Sequence, residues 1–113
     1  MCSQNELNSI LRRIAAIFRD VYGEDIVKMV LYGSYARGNQ DEESDIDVVA
    51  IVRGERPELQ KKLREVWELS SGLELEYETI LSPTVIPYDE YEEYREVLPY
   101  YRNIEREGVS IVA

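Results

Sequence analysis

Between residues 6 and 22 the apolar side chains Leu7, Ile10, Leu11, Ile14, Ile17, Phe18 and Val21 recur at three- and four-residue steps. That period predicts an amphipathic helix, with Ser3 or Asn5 as its cap and Gly23 as its stop. Residues 26–32 (IVKMVLY) form a short apolar run rich in β-branched side chains, which predicts a buried strand. It runs into Gly33-Ser34-Tyr35-Ala36-Arg37-Gly38, where two glycines bracket a tight or helical turn. Residues 39–44 are polar and read as a loop, and residues 45–53 (DIDVVAIVR) read as a second strand.

Gly54 ends that strand, and Pro57 suits the first turn of a helix. Leu59, Leu63, Val66, Trp67 and Leu69 give this helix an apolar face, and Gly72 is its expected stop. Residues 73–81 (LELEYETIL) then alternate, which predicts a strand with Glu74, Glu76 and Glu78 on one acidic face. Ser82-Pro83 and Pro87 read as a loop. Two helical segments follow at 89–97 and 100–107 with Pro99 between them, then Gly108 and a short last strand at 109–112. The order predicts an α/β (α+β) domain, a small mixed sheet with flanking helices. At 113 residues, one domain over 1–113 is expected, with an open cleft rather than an enclosed cavity.

Composition narrows the chemistry. The chain is 44% hydrophobic and 32% charged, a globular balance. Its net charge of −10, with basic residues interleaved among acids as in Lys61-Lys62-Leu63-Arg64-Glu65, disfavours direct nucleic-acid binding. There is no histidine, which excludes imidazole acid–base chemistry and imidazole metal ligands. The lone cysteine, Cys2, cannot form an internal disulfide. No apolar run approaches the ~20 residues of a membrane span, and residues 1–9 lack the pattern of a signal peptide. A soluble cytoplasmic protein with no membrane partner is expected, its oligomeric state open. Nine tyrosines are many for this length, five of them (Tyr88, Tyr91, Tyr94, Tyr100, Tyr101) in the last third. Packing of helices over the sheet is favoured for them over a partner surface.

Two features carry candidate chemistry. Side chains two apart on a strand share a face, so Asp45 and Asp47 point the same way. Adjacent carboxylates repel unless a cation or proton lies between them, and Mg²⁺ favours one or two carboxylates plus phosphate oxygens. Gly33 lets backbone approach a phosphate closely, Ser34 adds a hydroxyl, and Arg37 adds a fork of donors suited to phosphate. Taken alone, the Asp-x-Asp pair reads more readily as a solvated strand end, and the glycine–serine segment fits an ordinary turn as well as a phosphate site.

Together, Gly-Ser, ten intervening residues and Asp-x-Asp resemble the minimal nucleotidyltransferases of the DNA polymerase beta superfamily. The resemblance is carried by Leu31-Tyr32-Gly33-Ser34-Tyr35-Ala36-Arg37-Gly38 and Ser44-Asp45-Ile46-Asp47-Val48. It extends to Leu81-Ser82-Pro83 and Asn103-Ile104-Glu105-Arg106-Glu107-Gly108-Val109. It implies that Gly33 and Ser34 bind a triphosphate, that Asp45 and Asp47 hold two Mg²⁺ ions, and that a third carboxylate sits on a neighbouring strand. Glu78 is the expected third, with Glu76 in reserve, as metal ligand or general base. It further implies AMP transfer from ATP to an acceptor hydroxyl, in particular a tyrosine of a partner HEPN-domain toxin, which makes the chain an antitoxin. Transfer to a small molecule of the aminoglycoside type and non-catalytic binding of a toxin are the alternatives.

Overall fold

The computed structural model describes residues 3–38 and 44–111. Helix α1 spans Gln4–Tyr22 and begins in a capping box: the Glu6 amide donates to Ser3 Oγ at 3.1 Å, and the Ser3 amide donates to Glu6 Oε1 at 3.2 Å. Of the two expected caps, Ser3 is the one used. A 3-10 turn, Gly23–Asp25, leads into β1 (Ile26–Tyr32). The one-turn helix α2 (Ser34–Arg37) follows, then β2 (Ile46–Val52), α3 (Arg56–Tyr77) and β3 (Leu81–Pro87). Helices α4 (Tyr88–Tyr94) and α5 (Pro99–Glu107) and a two-residue β4 (Val109–Ser110) complete the described chain. Apart from Ser44, the polar loop at 39–44 lies outside the described residues, as does Val112.

The sheet order is β3-β2-β1-β4. β1 is antiparallel to both β2 and β4, while β2 and β3 run parallel with α3 as their crossover. This is the small mixed sheet that the sequence predicts. Alternation sends Ile46, Val48, Ala50 and Val52 to one face, where Ile10, Ile14 and Phe18 of α1 and Leu63, Val66 and Leu73 of α3 cover them. Val49 and Ile51 point to the other face, against Tyr91 of α4 and Tyr101 and Ile104 of α5. Both faces of β2 are therefore buried, which explains its nearly unbroken apolar run. Fully buried side chains such as Phe18 and Ile14 each contribute about 1.5–3 kcal/mol by leaving water. The tyrosines at 91 and 101 are core residues, as the packing reading expects.

The region after Gly72 departs from expectation. Residues 73–77 are not a strand but the last turns of α3, and Glu78 is its C-cap in the left-handed conformation (φ 52°). The buried positions Leu59, Leu63, Val66, Ser70 and Leu73 and the half-buried Tyr77 step by three and four straight through Gly72. Ser70 interrupts the apolar stripe, but its hydroxyl donates to the Trp67 carbonyl at 3.1 Å, and Gly72 faces open space. A glycine on an exposed helix face costs about 1 kcal/mol relative to alanine, too little to end a helix held by its buried side.

Residues 82–87 are likewise not a loop but nearly all of β3. Pro83 and Pro87 fall at alternate positions of an edge strand whose partner is β2 alone. The Pro83 carbonyl faces outward, accepting the Trp67 indole N–H at 3.1 Å, so the missing proline donor removes no ladder bond. The same prolines discourage pairing with another strand.

Candidate active site

β1 ends at Gly33, whose φ of +80° suits glycine, and a Cβ there would collide with Asp47 Oδ2. Glycine is thus required twice over, by backbone conformation and by the carboxylate against it. The Gly33 carbonyl accepts the amides of Ala36 and Arg37, each at 3.1 Å, and Gly38 closes the turn in the left-handed conformation (φ +77°). The buried Tyr35 ring anchors this turn to the main core and leaves Ser34 half-buried.

Asp47 pairs in register with Tyr32 of β1 on one side and Ser82 of β3 on the other. It shares the sheet face of Val49 and Ile51, the face covered by α4 and α5. Asp45 precedes the strand by one residue, is exposed, and accepts the Ser82 hydroxyl at 3.3 Å. Burial raises the Asp47 pKa above its ordinary 3.8, the Asp45 charge raises it further, and Arg37 opposes both. The two aspartates are therefore brought near one another, close enough for the Asp45 charge to act on Asp47.

The remaining site residues divide. Arg37 stands near enough to act on Asp47, but its guanidinium lies 3.6 Å from Glu107, a surface ion pair. Glu76 lies on α3, where it accepts from Arg13 at 2.7 Å. Glu78 is exposed and borders a groove of about 570 Å³ with Tyr35, Ser44, Glu74 and Ile80. Neither glutamate occupies a strand beside Asp47; the neighbouring position on the parallel strand is Ser82. Three residues that sequence reading left out of the site border it: Ser82, Tyr32 and Tyr100. The ring of Tyr100 packs edge-on against Tyr32, centroids 5.7 Å apart, and the Asp47 charge helps raise its pKa, after burial and Tyr32. Recognising that α3 returns the chain parallel to β2 would have pointed to Ser82; no local signal marks Tyr100.

The donor set suits a hard, oxygen-seeking divalent cation. Asp45 and Asp47 supply two carboxylates whose mutual repulsion such an ion would relieve, with the Ser82 hydroxyl adjacent. Among the described residues no group of three or more His, Cys, Asp or Glu side chains is placed to hold a metal. The rest of an Mg²⁺ shell would fall to water and to oxygens of a bound phosphate.

Comparison with known proteins bears on this arrangement. A family model described as Nucleotidyltransferase domain matches residues 11–110. A Methanocaldococcus jannaschii protein, named as a candidate protein adenylyltransferase, is 32% identical over 80 residues, 71% of this chain and 79% of its own length. A second protein of that organism, similarly named, is 35% identical over 63 residues, 53% of this chain and 43% of its own length. Among solved structures, a variant of the MntA–HpeT toxin–antitoxin with two aspartates replaced by glutamate is similar at a TM-score of 0.57 and 16% identity. That match covers 91% of this chain and 73% of the other. A toxin–antitoxin solved with AMP-PNP matches at a TM-score of 0.54 and 16% identity, covering 99% and 74%. At such identity the two structures speak to the fold, a nucleotidyltransferase fold of the polymerase-beta type.

Proposed function

This chain belongs to the nucleotidyltransferase domain family, and from that footing we propose that it transfers AMP from ATP to a hydroxyl of a partner protein. The acceptor in this reading is a tyrosine of a HEPN-domain toxin, and the chain is the antitoxin. The names of the sequence relatives support a protein acceptor, and the toxin–antitoxin fold neighbours support a toxin as the partner. The single observation that carries the reading is the carboxylate pair at the start of β2, Asp47 packed against Gly33 with the Asp45 charge acting on it.

The chemistry is phosphoryl transfer. The acceptor oxygen bonds to the α-phosphorus, the bond from that phosphorus to the β-bridging oxygen breaks, pyrophosphate leaves, and the hydroxyl proton passes to solvent. Asp45 and Asp47 would hold the Mg²⁺, two ions in the expected arrangement, which neutralises phosphate charge when bound. Gly33 admits the triphosphate close to the backbone, Ser34 offers a hydroxyl, and Arg37 has only to turn from Glu107 to meet phosphate. Most of the acceleration in such a site comes from positioning and charge compensation. Asp45 is exposed, which leaves its side of the pair open to a protein acceptor.

Incubation with labelled ATP, Mg²⁺ and the protein encoded by the adjacent gene tests this. The expected result is a mass gain of one AMP on a tyrosine of the neighbour, lost in Asp45→Asn with Asp47→Asn. Transfer undiminished in that double variant contradicts it. The presence of only two site carboxylates among the described residues favours one other reading, a module that blocks the toxin by contact. Tight complex formation without mass gain is its signature.

A further inference from the structure

On the sheet face toward which Asp47 points, the adjacent position of β1 is occupied by Tyr32, the residue immediately before Gly33. Tyr100, in the first turn of α5, packs edge-on against Tyr32 with ring centroids 5.7 Å apart and an interplanar angle of 83°. Behind it lies Tyr101, 5.8 Å away, whose ring meets Tyr91 at the same separation. Tyr91 and Tyr101 are core residues, 1% and 8% exposed, so this row of rings is anchored in the second core. Tyr100 is the exception, 43% exposed although two neighbouring rings brace it. An aromatic side chain held rigidly yet left open beside a phosphate-binding turn has a π-face to offer at little entropic cost.

We propose that Tyr100, braced by Tyr32 and Tyr101, is the surface on which the base of the donor nucleotide stacks. The proposal rests on the nucleotidyltransferase reading and adds a positioning residue to it. With the triphosphate on Gly33 and Ser34, the base of the same nucleotide has to leave the metal on one side or the other. Tyr32 and Tyr100 line the side toward α5 with aromatic rings. Stacking is tolerant of base identity because every base has a π-face, so Tyr100 sets affinity for a nucleotide over a bare polyphosphate more than the choice among bases.

Isothermal titration of the full chain with Mg²⁺ and two probes, a non-hydrolysable ATP analogue and inorganic tripolyphosphate, tests this. Tyr100→Leu keeps an apolar side chain on Tyr32 and removes the ring. It is expected to weaken the analogue by about 5- to 100-fold and leave tripolyphosphate unchanged, which also verifies an intact phosphate site. Tyr100→Phe is expected to match the wild type for both probes. Wild-type affinity for the analogue in Tyr100→Leu, or equal loss of both probes, overturns stacking while leaving the catalytic reading in place. Failure of the wild-type chain to bind either probe overturns both.

Discussion

The face of the sheet under α4 and α5 carries two sets of charges, and they are built on opposite plans. At one, every charge has a partner: Glu90 accepts from Arg56 and Tyr101, and Glu105 accepts from Tyr91 and Lys28. Those bonds lower the pKa of both glutamates, Arg56 acting most strongly on Glu90 and Tyr91 on Glu105. Tyr101 is correspondingly pushed up to about 12, by burial and by its bond to Glu90. At the other, Asp47 is raised, first by burial and then by the like charge of Asp45. The cation that opposes this, Arg37, is paired with Glu107. The first set stabilises the fold by itself; the second costs stability until something positive arrives from outside. That contrast supports the proposed binding site, and it can be probed at either end.

The largest effect is expected from Asp45→Asn with Asp47→Asn, which removes the charges that would hold a cation. AMP transfer should fall by at least roughly 10²- to 10³-fold, the scale of a lost electrostatic contribution at a reacting centre. The same variant, without metal, should melt higher than the wild type by about 2–4 °C at neutral pH, modest because Asp47 is only half-buried. The sign follows from linkage. A carboxylate whose folded pKa is raised destabilises the fold above that pKa, and the penalty fades as pH falls toward the ordinary 3.8. Melting curves of the two proteins should therefore converge in acid.

Gly33→Ala comes next. The added Cβ requires an alanine at φ +80° and meets the Asp47 carboxylate. Strain of this kind costs about 1–3 kcal/mol, so both melting temperature and metal binding should drop, measured by thermal melts with and without Mg²⁺. Glu90→Gln, at the satisfied end, should lower stability by roughly 0.5–1.5 kcal/mol in denaturant titration while leaving transfer intact. Because the Glu90 pKa is lowered in the fold, its contribution is present above the ordinary 4.5 and is lost as pH falls through its depressed value. The two ends should thus respond to acid in opposite directions. The smallest effect is expected from Glu76→Gln, which breaks an exposed pair with Arg13 on the far side of the sheet and should leave transfer at the wild-type rate.

The parts of this arrangement that depend on near neighbours in sequence are readable from it. The helical period of α1, the apolar runs of β1 and β2, and the Gly33–Ser34 and Asp45–Asp47 pairs each lie within a few residues. What escaped reading depends on the third dimension. Leu75 is 83% exposed although it sits in an alternating pattern, because α3 continues past Gly72 on the strength of Leu73 and Tyr77 packed below. Pro83 resembles a loop residue until β3 is known to be an edge strand with that position facing outward. Tyr100, more than fifty residues beyond Asp47, reaches the site only because α5 folds back over β1 and β2.

In the proposed reaction Asp45 and Asp47 together hold a divalent cation at the Gly33 turn. Titration of Mn²⁺ into the wild-type chain with a non-hydrolysable ATP analogue, followed by electron paramagnetic resonance, reads this directly. Loss of the free Mn²⁺ signal in the wild type but not in the double asparagine variant is the predicted result. Equal uptake by both proteins, or none by the wild type, would contradict it.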